Sequence, residues 1–417
     1  MIQQPDIIIP SSVEMPRAEL HTAANGVKIY TLNTDDFEVV RFTFIFHAGT
    51  SMQTKPFTAS ATANMLSEGS TSMTAQQIAD ELDFYGSYFD VNIDRDYVYI
   101  SFASLSKFFD PTVKVAKDII LNPAFEEKEL RTYCSKRKQS LMVERQKIEV
   151  QSRELFAQSL FGNEHPYGIS SDEACYDDVT RDDIVTLYDR LYTADNCFMV
   201  CSGRVDEEVI SALKDIAMSL PHGSCHNVAF PAVNISYKRH KDIGTALQSS
   251  IRIGRLLFPR SHPDFVPMQV VATILGGYFG SRLMQNLREE HGYTYGVMAA
   301  MVNFDHEGYL AIATQVAKEH REDALKEIYA EIEMLRHELI PEEELQMVQN
   351  IMIGETLRIL DGPFGIADVT IENIMCGCDN SATEECVKTI FAMTPERVKE
   401  LCEKYLCRED LIEVVVG

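Results

Sequence analysis

The sequence predicts an α+β protein made of two copies of one domain. Each copy is a mostly antiparallel sheet backed by helices, and the two enclose a clamshell chamber. Three observations lead there. Similar stretches recur in the same order in the two halves of the chain. Runs such as Tyr97-Val98-Tyr99-Ile100-Ser101-Phe102 alternate as a half-buried strand does. Runs such as Gln76 to Tyr85 bring Ile78, Ala79, Leu82 and Tyr85 near one helical face. Strand runs followed by helical runs point to antiparallel sheets with helices packed on a face.

Taken in order, the first clear strand is Phe42-Thr43-Phe44-Ile45-Phe46, and its counterpart is Ser249-Ser250-Ile251-Arg252-Ile253. Gly69 and Gly86 bracket a helix, as Gly276 and Gly292 do. Long helices begin over Glu126 to Leu130 and over Glu342 to Leu345. Thr180 and Thr394 each stand as an N-cap before an acidic first turn, with Pro395 at the favoured first helical position. Both helices lead into apolar strands, Phe198 to Cys201 stopping at Gly203 and Ile412 to Val416 stopping at Gly417. The repeat divides the chain into units 1–221 and 223–417. The boundary falls at Pro221-His222-Gly223-Ser224, and a linker of small and polar residues runs towards Lys241.

Composition narrows the function. The 417 residues carry a formal charge of -25. That argues against nucleic acid, whose binding depends on basic patches that release counterions. It argues equally against an anionic membrane surface. The acidity serves solubility first and the attraction of basic peptides or a basic subunit second. Met1 to Asp6 has neither the basic nor the apolar region of a signal peptide. No stretch approaches the ~20 apolar residues of a membrane span. The ten cysteines do not form a disulfide framework. Most are expected to be buried free thiols in a reducing cytoplasm. Cys376-Gly377-Cys378 is the tightest pair, with no second pair or histidine at zinc-finger spacing.

Two motifs carry the chemistry. One is Gly276-Gly277-Tyr278-Phe279-Gly280-Ser281-Arg282-Leu283, continued by Asn286-Leu287-Arg288-Glu289 and Gly292-Tyr293-Thr294-Tyr295. The other is Phe161-Gly162-Asn163-Glu164-His165-Pro166-Tyr167-Gly168. On these residues the chain resembles the pitrilysin or insulinase family of zinc metallopeptidases, which includes the mitochondrial processing peptidases, and within it the short, bacterial, two-domain members. The resemblance covers nearly the whole chain. It implies a zinc motif, His-x-x-Glu-His, on a helix of the first domain. Two imidazoles one turn apart bind the ion, the glutamate deprotonates its water, and a distant glutamate completes the site. Alignment back from Gly69 places that motif on Ser60-Ala61-Thr62-Ala63-Asn64, so Ser60, Ala63 and Asn64 stand where the ligands and the base would be. The distant ligand would fall near Lys138 to Met142, which has no glutamate, and Glu144 reads as a solvated helix charge. His165, His291, His306, His320 and His337 form no convergent cluster legible in the sequence, so no metal is assigned.

What survives is Arg288 and Tyr295. The resemblance implies that these two reach a peptide held at the zinc of the opposing domain. A guanidinium can donate to a peptide carbonyl, and a phenol can stabilise an oxyanion. The alternative is a surface arginine and a packed strand aromatic. Gly276 and Gly277 either let backbone approach a ligand or form a plain turn. The expected role is a non-catalytic, cytoplasmic subunit of a heteromeric zinc metallopeptidase. It supplies Arg288 and Tyr295 to a related chain with an intact zinc motif. Zinc is expected in that partner and no cofactor in this chain. The competing expectations are a scaffold or peptide-binding homodimer without proteolytic activity, and a peptidase with displaced ligands. One outcome follows for the isolated protein: it cleaves no unfolded peptide. Chelator-sensitive cleavage by the purified chain alone would contradict this.

Overall fold

The computed structural model describes residues 10, 12–223 and 230–417. The hexapeptide Met1 to Asp6 and the linker residue Ser224 lie outside the described residues. The first half holds strands β1 (Glu19–Thr22), β2 (Lys28–Asn33), β3 (Val39–Phe46), β4 (Tyr88–Ile93), β5 (Val98–Leu105) and β6 (Cys197–Gly203). Its helices are α1 (Thr58–Met65), α2 (Ala75–Tyr85), α3 (Phe109–Leu121), α4 (Glu127–Glu144), α5 (Ile148–Phe161), α6 (Glu173–Asp178), α7 (Arg181–Leu191) and α8 (Glu207–Ser219). The second half holds β7 (Lys238–Lys241), β8 (Gln248–Leu256), β9 (Thr294–Asn303), β10 (Gly308–Ala317) and β11 (Ile412–Val416). Its helices are α9 (Phe265–Ala272), α10 (Arg321–His337), α11 (Glu342–Ile359), α12 (Pro363–Met375), α13 (Ser381–Phe391) and α14 (Pro395–Tyr405). Two π-helical turns, Thr273–Gly277 and Met284–Glu290, lie between α9 and β9.

Local chemistry sets the helix ends. Thr74 and Gln77 form a reciprocal capping box at the start of α2, and Gly86 closes it in the left-handed conformation. Thr180 caps α7 with Asp183 in the same way, and Thr394 caps α14. On α2 only Ile78 and Leu82 are buried, so the apolar stripe is narrower than expected and Ala79 faces outward.

The strand order of the first sheet is β1-β2-β6-β3-β5-β4, and that of the second is β7-β11-β8-β10-β9. In each, the pair β2–β6 or β7–β11 is parallel and every other pair is antiparallel. The expected α+β fold with a repeated sheet is therefore present, and β3 and β8 are equivalent strands. One face of each sheet is backed by helices of its own half. Phe42, Phe44 and Phe46 join the first core and Ile251, Ile253 and Ile312 the second.

The opposite faces are covered by exchange. Helix α5 of the first half lies on β8 and β11 of the second sheet. Its Phe156, Leu160 and Phe161 pack with Ile412, Val414 and Val416. Ser152 and Ser250 share a 2.7 Å hydrogen bond across the same contact. Helix α12 of the second half lies on β6 of the first sheet, where Ala367 and Ile371 meet Leu32, Ile45 and Val200. Both faces of β3 and β11 are thereby buried, which is why these strands read as near-continuous apolar runs.

Two readings of the sequence are corrected. Of the nine described cysteines, all are unpaired, but only Cys134, Cys201 and Cys402 are buried, and Cys378 is exposed. Cys175, Cys197, Cys376, Cys386 and Cys407 are half-buried. Gly276 approaches no open space: a Cβ there would stand 2.6 Å from the Ala299 nitrogen, so the residue admits β9. His165 is buried, and its Nδ1 accepts from the Tyr167 N–H at 3.1 Å, with Phe161 and Phe230 against its ring. Burial pushes its pKa below the usual value, which suits a neutral acceptor.

The exchanged helices make the two halves one cooperative unit. Phe156→Ala is expected to cost about 3–5 kcal/mol and Ile371→Ala about 2–5 kcal/mol. Each should move a single denaturant transition that reports on both halves. Two separate transitions, with only one displaced, would contradict the coupling.

Candidate functional site

Helix α1 is where a zinc motif would stand. Ser60 and Asn64 are half-buried, and Ala63 is fully buried. The Asn64 side-chain amide donates to the Ser60 carbonyl at 2.8 Å, which is the geometry of a helix side chain satisfied by its own turn. Opposite stands Tyr133 on α4, whose hydroxyl donates to the same carbonyl at 3.5 Å. Burial pushes its phenol up to about 12. In the stretch Lys138 to Met142, aligned with the distant ligand, Lys138 pairs with Asp177. A hydroxyl, a methyl, an amide and a phenol replace imidazoles and carboxylates. This donor set does not fit zinc, and no hydrolytic step is assigned to it.

Arg288 and Tyr295 are brought together. Arg288 lies on the π-helical turn Met284–Glu290, a kind of distortion that recurs at functional sites. Its guanidinium lies 4.7 Å from the Phe279 ring centroid and 5.0 Å from that of Tyr295. Glu289 stands 3.4 Å from its Nε. The charge is thus held by two aromatic faces and one carboxylate. Tyr295, near the start of the edge strand β9, is 89% exposed and is not a packed core aromatic. It borders a cavity of about 360 Å³ on the second sheet, with Gln248, Arg252, Thr314 and Gln315 in the floor. Glu149 of α5 forms one wall and accepts from the Gln315 amide at 2.8 Å, so both halves shape this cavity. Among the described residues, the ring and ionic partners of Arg288 and Tyr295 all lie within 279–295, and none is on α1.

A third constellation was not legible in the sequence. The turn between β4 and β5 and the equivalent turn between β9 and β10 meet at the seam of the halves. Asp96 is 3% exposed. Its Oδ1 accepts from the Ser51 hydroxyl at 3.0 Å and the Tyr167 hydroxyl at 2.8 Å. Its Oδ2 accepts from the Asp305 N–H at 3.0 Å. An Asp305 carboxylate oxygen lies 3.4 Å from His47 Nε2, and the Tyr97 phenol lies beside the same side chain. Burial, with the Asp96 charge adding to it, holds the Asp305 carboxyl above the usual carboxylate range. Gly49 makes this approach possible: a Cβ there would stand 2.4 Å from the Asp96 backbone. The signal that could have pointed here is an acidic turn, Asp94-Arg95-Asp96 and Asp305-His306-Glu307, at the same place in both copies.

Comparison with known proteins fits this geometry. Residues 42–165 match the insulinase family (peptidase family M16), and residues 178–352 match the peptidase M16 inactive domain. An uncharacterized zinc protease of Rickettsia felis is 24% identical over 343 residues, covering 79% of this chain and 82% of that one. A Helicobacter pylori protein named as a non-peptidase homolog is 20% identical, over 56% of this chain and 55% of its own. The crystal structure of a peptidase M16 inactive domain from Pseudomonas fluorescens has the same fold. Its TM-score is 0.88 at 23% identity, over 96% of this chain and 98% of that one. The chain belongs to the insulinase-type M16 peptidase family, as a member whose first-half helix carries no zinc ligand.

Proposed function

We propose that this chain is the non-catalytic subunit of a heteromeric zinc metallopeptidase. In this reading it presents Arg288 and Tyr295 to a peptide bound at the zinc of a related partner chain. The units involved are 1–221, with the degenerate site at Ser60, Ala63 and Asn64, and 223–417, with the arginine and tyrosine. The observation that carries the reading is the placement of Tyr295. An exposed phenol at the mouth of a cavity, beside a guanidinium held by two rings, has no packing reason to be there. An oriented phenol can donate to a developing oxyanion, and the neighbouring guanidinium can hold a peptide carbonyl. The missing ligands on α1 make any cleavage a task for the partner. The Helicobacter relative's description as a non-peptidase homolog agrees with that division. Among the described residues no helix is long and apolar enough to cross a membrane. A cytoplasmic location is part of the proposal.

The test uses the heteromer reconstituted with a zinc-bearing chain. Tyr295→Phe removes one hydroxyl from an exposed ring, so assembly and stability should hold. Loss of one transition-state donor should lower kcat about 10²–10³-fold. Arg288→Ala should raise KM, because the peptide loses a charged donor and Tyr295 loses its neighbour. If both variants assemble and cleave at the wild-type rate, the pair is structural. A scaffold or peptide-binding homodimer then replaces the proposed role.

A further inference from the structure

We propose that His47, Asp96 and Asp305 bind one divalent transition-metal ion across the seam between the two halves. One imidazole and two carboxylates suit Zn²⁺ or Mn²⁺. The inference concerns a site away from α1 and does not depend on the subunit role proposed above. It replaces the expectation of a metal-free chain, which came from searching for ligands along the sequence, where these three residues are far apart.

The geometry supports it first. One ligand atom from each of the three residues lies within 4.8 Å of the others. His47 Nε2 and an Asp305 oxygen are 3.4 Å apart. Zinc bonds of about 2.0–2.1 Å put tetrahedral ligand atoms roughly 3.3–3.4 Å from each other. One edge already has that length, and the other two need a shift of up to about 1.5 Å.

Charge supports it next. Two carboxylates face each other in a mostly buried place, and among the described residues neither has a lysine or arginine within ion-pair distance. Arg95 is adjacent in sequence, but its guanidinium turns to the Ile169 carbonyl. Asp94, Tyr97, His306 and Glu307 are the other titratable groups of the two turns, and Asp94 is engaged by the Tyr99 hydroxyl at 2.8 Å. A bound dication would neutralise the pair, which is otherwise opposed by His47 and, without direct ion pairing, by His306 and Arg95.

The outer shell is already built. Ser51 and Tyr167 donate to Asp96, and the Tyr97 phenol lies beside Asp305. Such donors fix the orientation of metal-binding carboxylates. The ion also has a way in. His47 and Tyr97 line a cavity of about 460 Å³ beside the end of α12, from which water can supply the remaining coordination positions. Asp305 belongs to the second half, and His47 and Asp96 to the first, so the ion would clamp the hairpin turns together.

The experiment is calorimetric titration of ZnCl₂, and separately MnCl₂, into the full-length protein after dialysis against EDTA. The expected result is one equivalent of at least one ion bound with micromolar or tighter affinity. Asp305→Asn and His47→Gln should each weaken it about 10-fold or more. The variants should keep their helical circular dichroism, since neither changes side-chain volume greatly. If either fails to fold, Tyr167→Phe decides: it keeps all three ligands and removes the 2.8 Å hydrogen bond to Asp96, and should weaken binding about 10-fold. Absence of binding of both ions at about 100 μM, or an affinity unchanged in the folded variants, overturns the proposal. The cluster is then a hydrogen-bonded seam only.

Discussion

The exchange of α5 and α12 is the constraint on which the rest of this structure depends. Each sheet has two apolar faces, and its own half supplies helices for one. The other would be left in water. Phe156, Leu160 and Phe161 close one of these faces, and Ala367 and Ile371 close the other. Because each helix crosses to the opposing sheet, the two halves are held in one mutual arrangement. That arrangement brings the β4–β5 and β9–β10 turns together, with Tyr167 beneath them. Its ring lies 4.4 Å from Phe304 and its hydroxyl on Asp96. The His-Pro-Tyr-Gly loop is thus a structural key between the halves. His165 shapes the loop and Tyr167 seats it.

The same exchange decides which surfaces remain for ligands. A helix covers only part of a sheet, so an uncovered strip is left beside each exchanged helix. The strip beside α5 is the cavity with Tyr295 at its rim, and the strip beside α12 is the cavity that reaches His47. Helix α1 sits on the other side of the first sheet's architecture, wedged against α4 and α7. The Thr62 hydroxyl and the Asn64 amide donate to carbonyls one turn back on the same helix. The packing of α1 therefore needs no metal ligand.

Much of this was legible in the sequence. The repeat was readable because both copies keep a threonine-capped helix followed by an apolar strand, at Thr180 and at Thr394. That α1 carries no zinc-ligand pair was readable because such ligands must sit about one helical turn apart, and Thr58 to Met65 holds no histidine or carboxylate. The exchange of helices was present but unread: Phe42 to Phe46 and Ile412 to Val416 are apolar on both faces, a pattern that demands cover on both sides. The Tyr133 contact with Ser60 was not legible, because the register between two packed helices cannot be counted along a connecting chain. The constellation of His47, Asp96 and Asp305 was invisible because only the closure of the two halves brings its members together.

The proposed role is a division of labour between two related chains. It is tested most directly by purifying this protein from its own cells under gentle conditions, then assaying the isolated complex and the isolated chain for cleavage of unfolded peptides. The account predicts a stable complex with a second M16 chain that carries an intact zinc motif, with chelator-sensitive cleavage by the complex and none by this chain alone. Recovery of this protein alone or only as a homodimer, or peptide cleavage by the single chain, would contradict it.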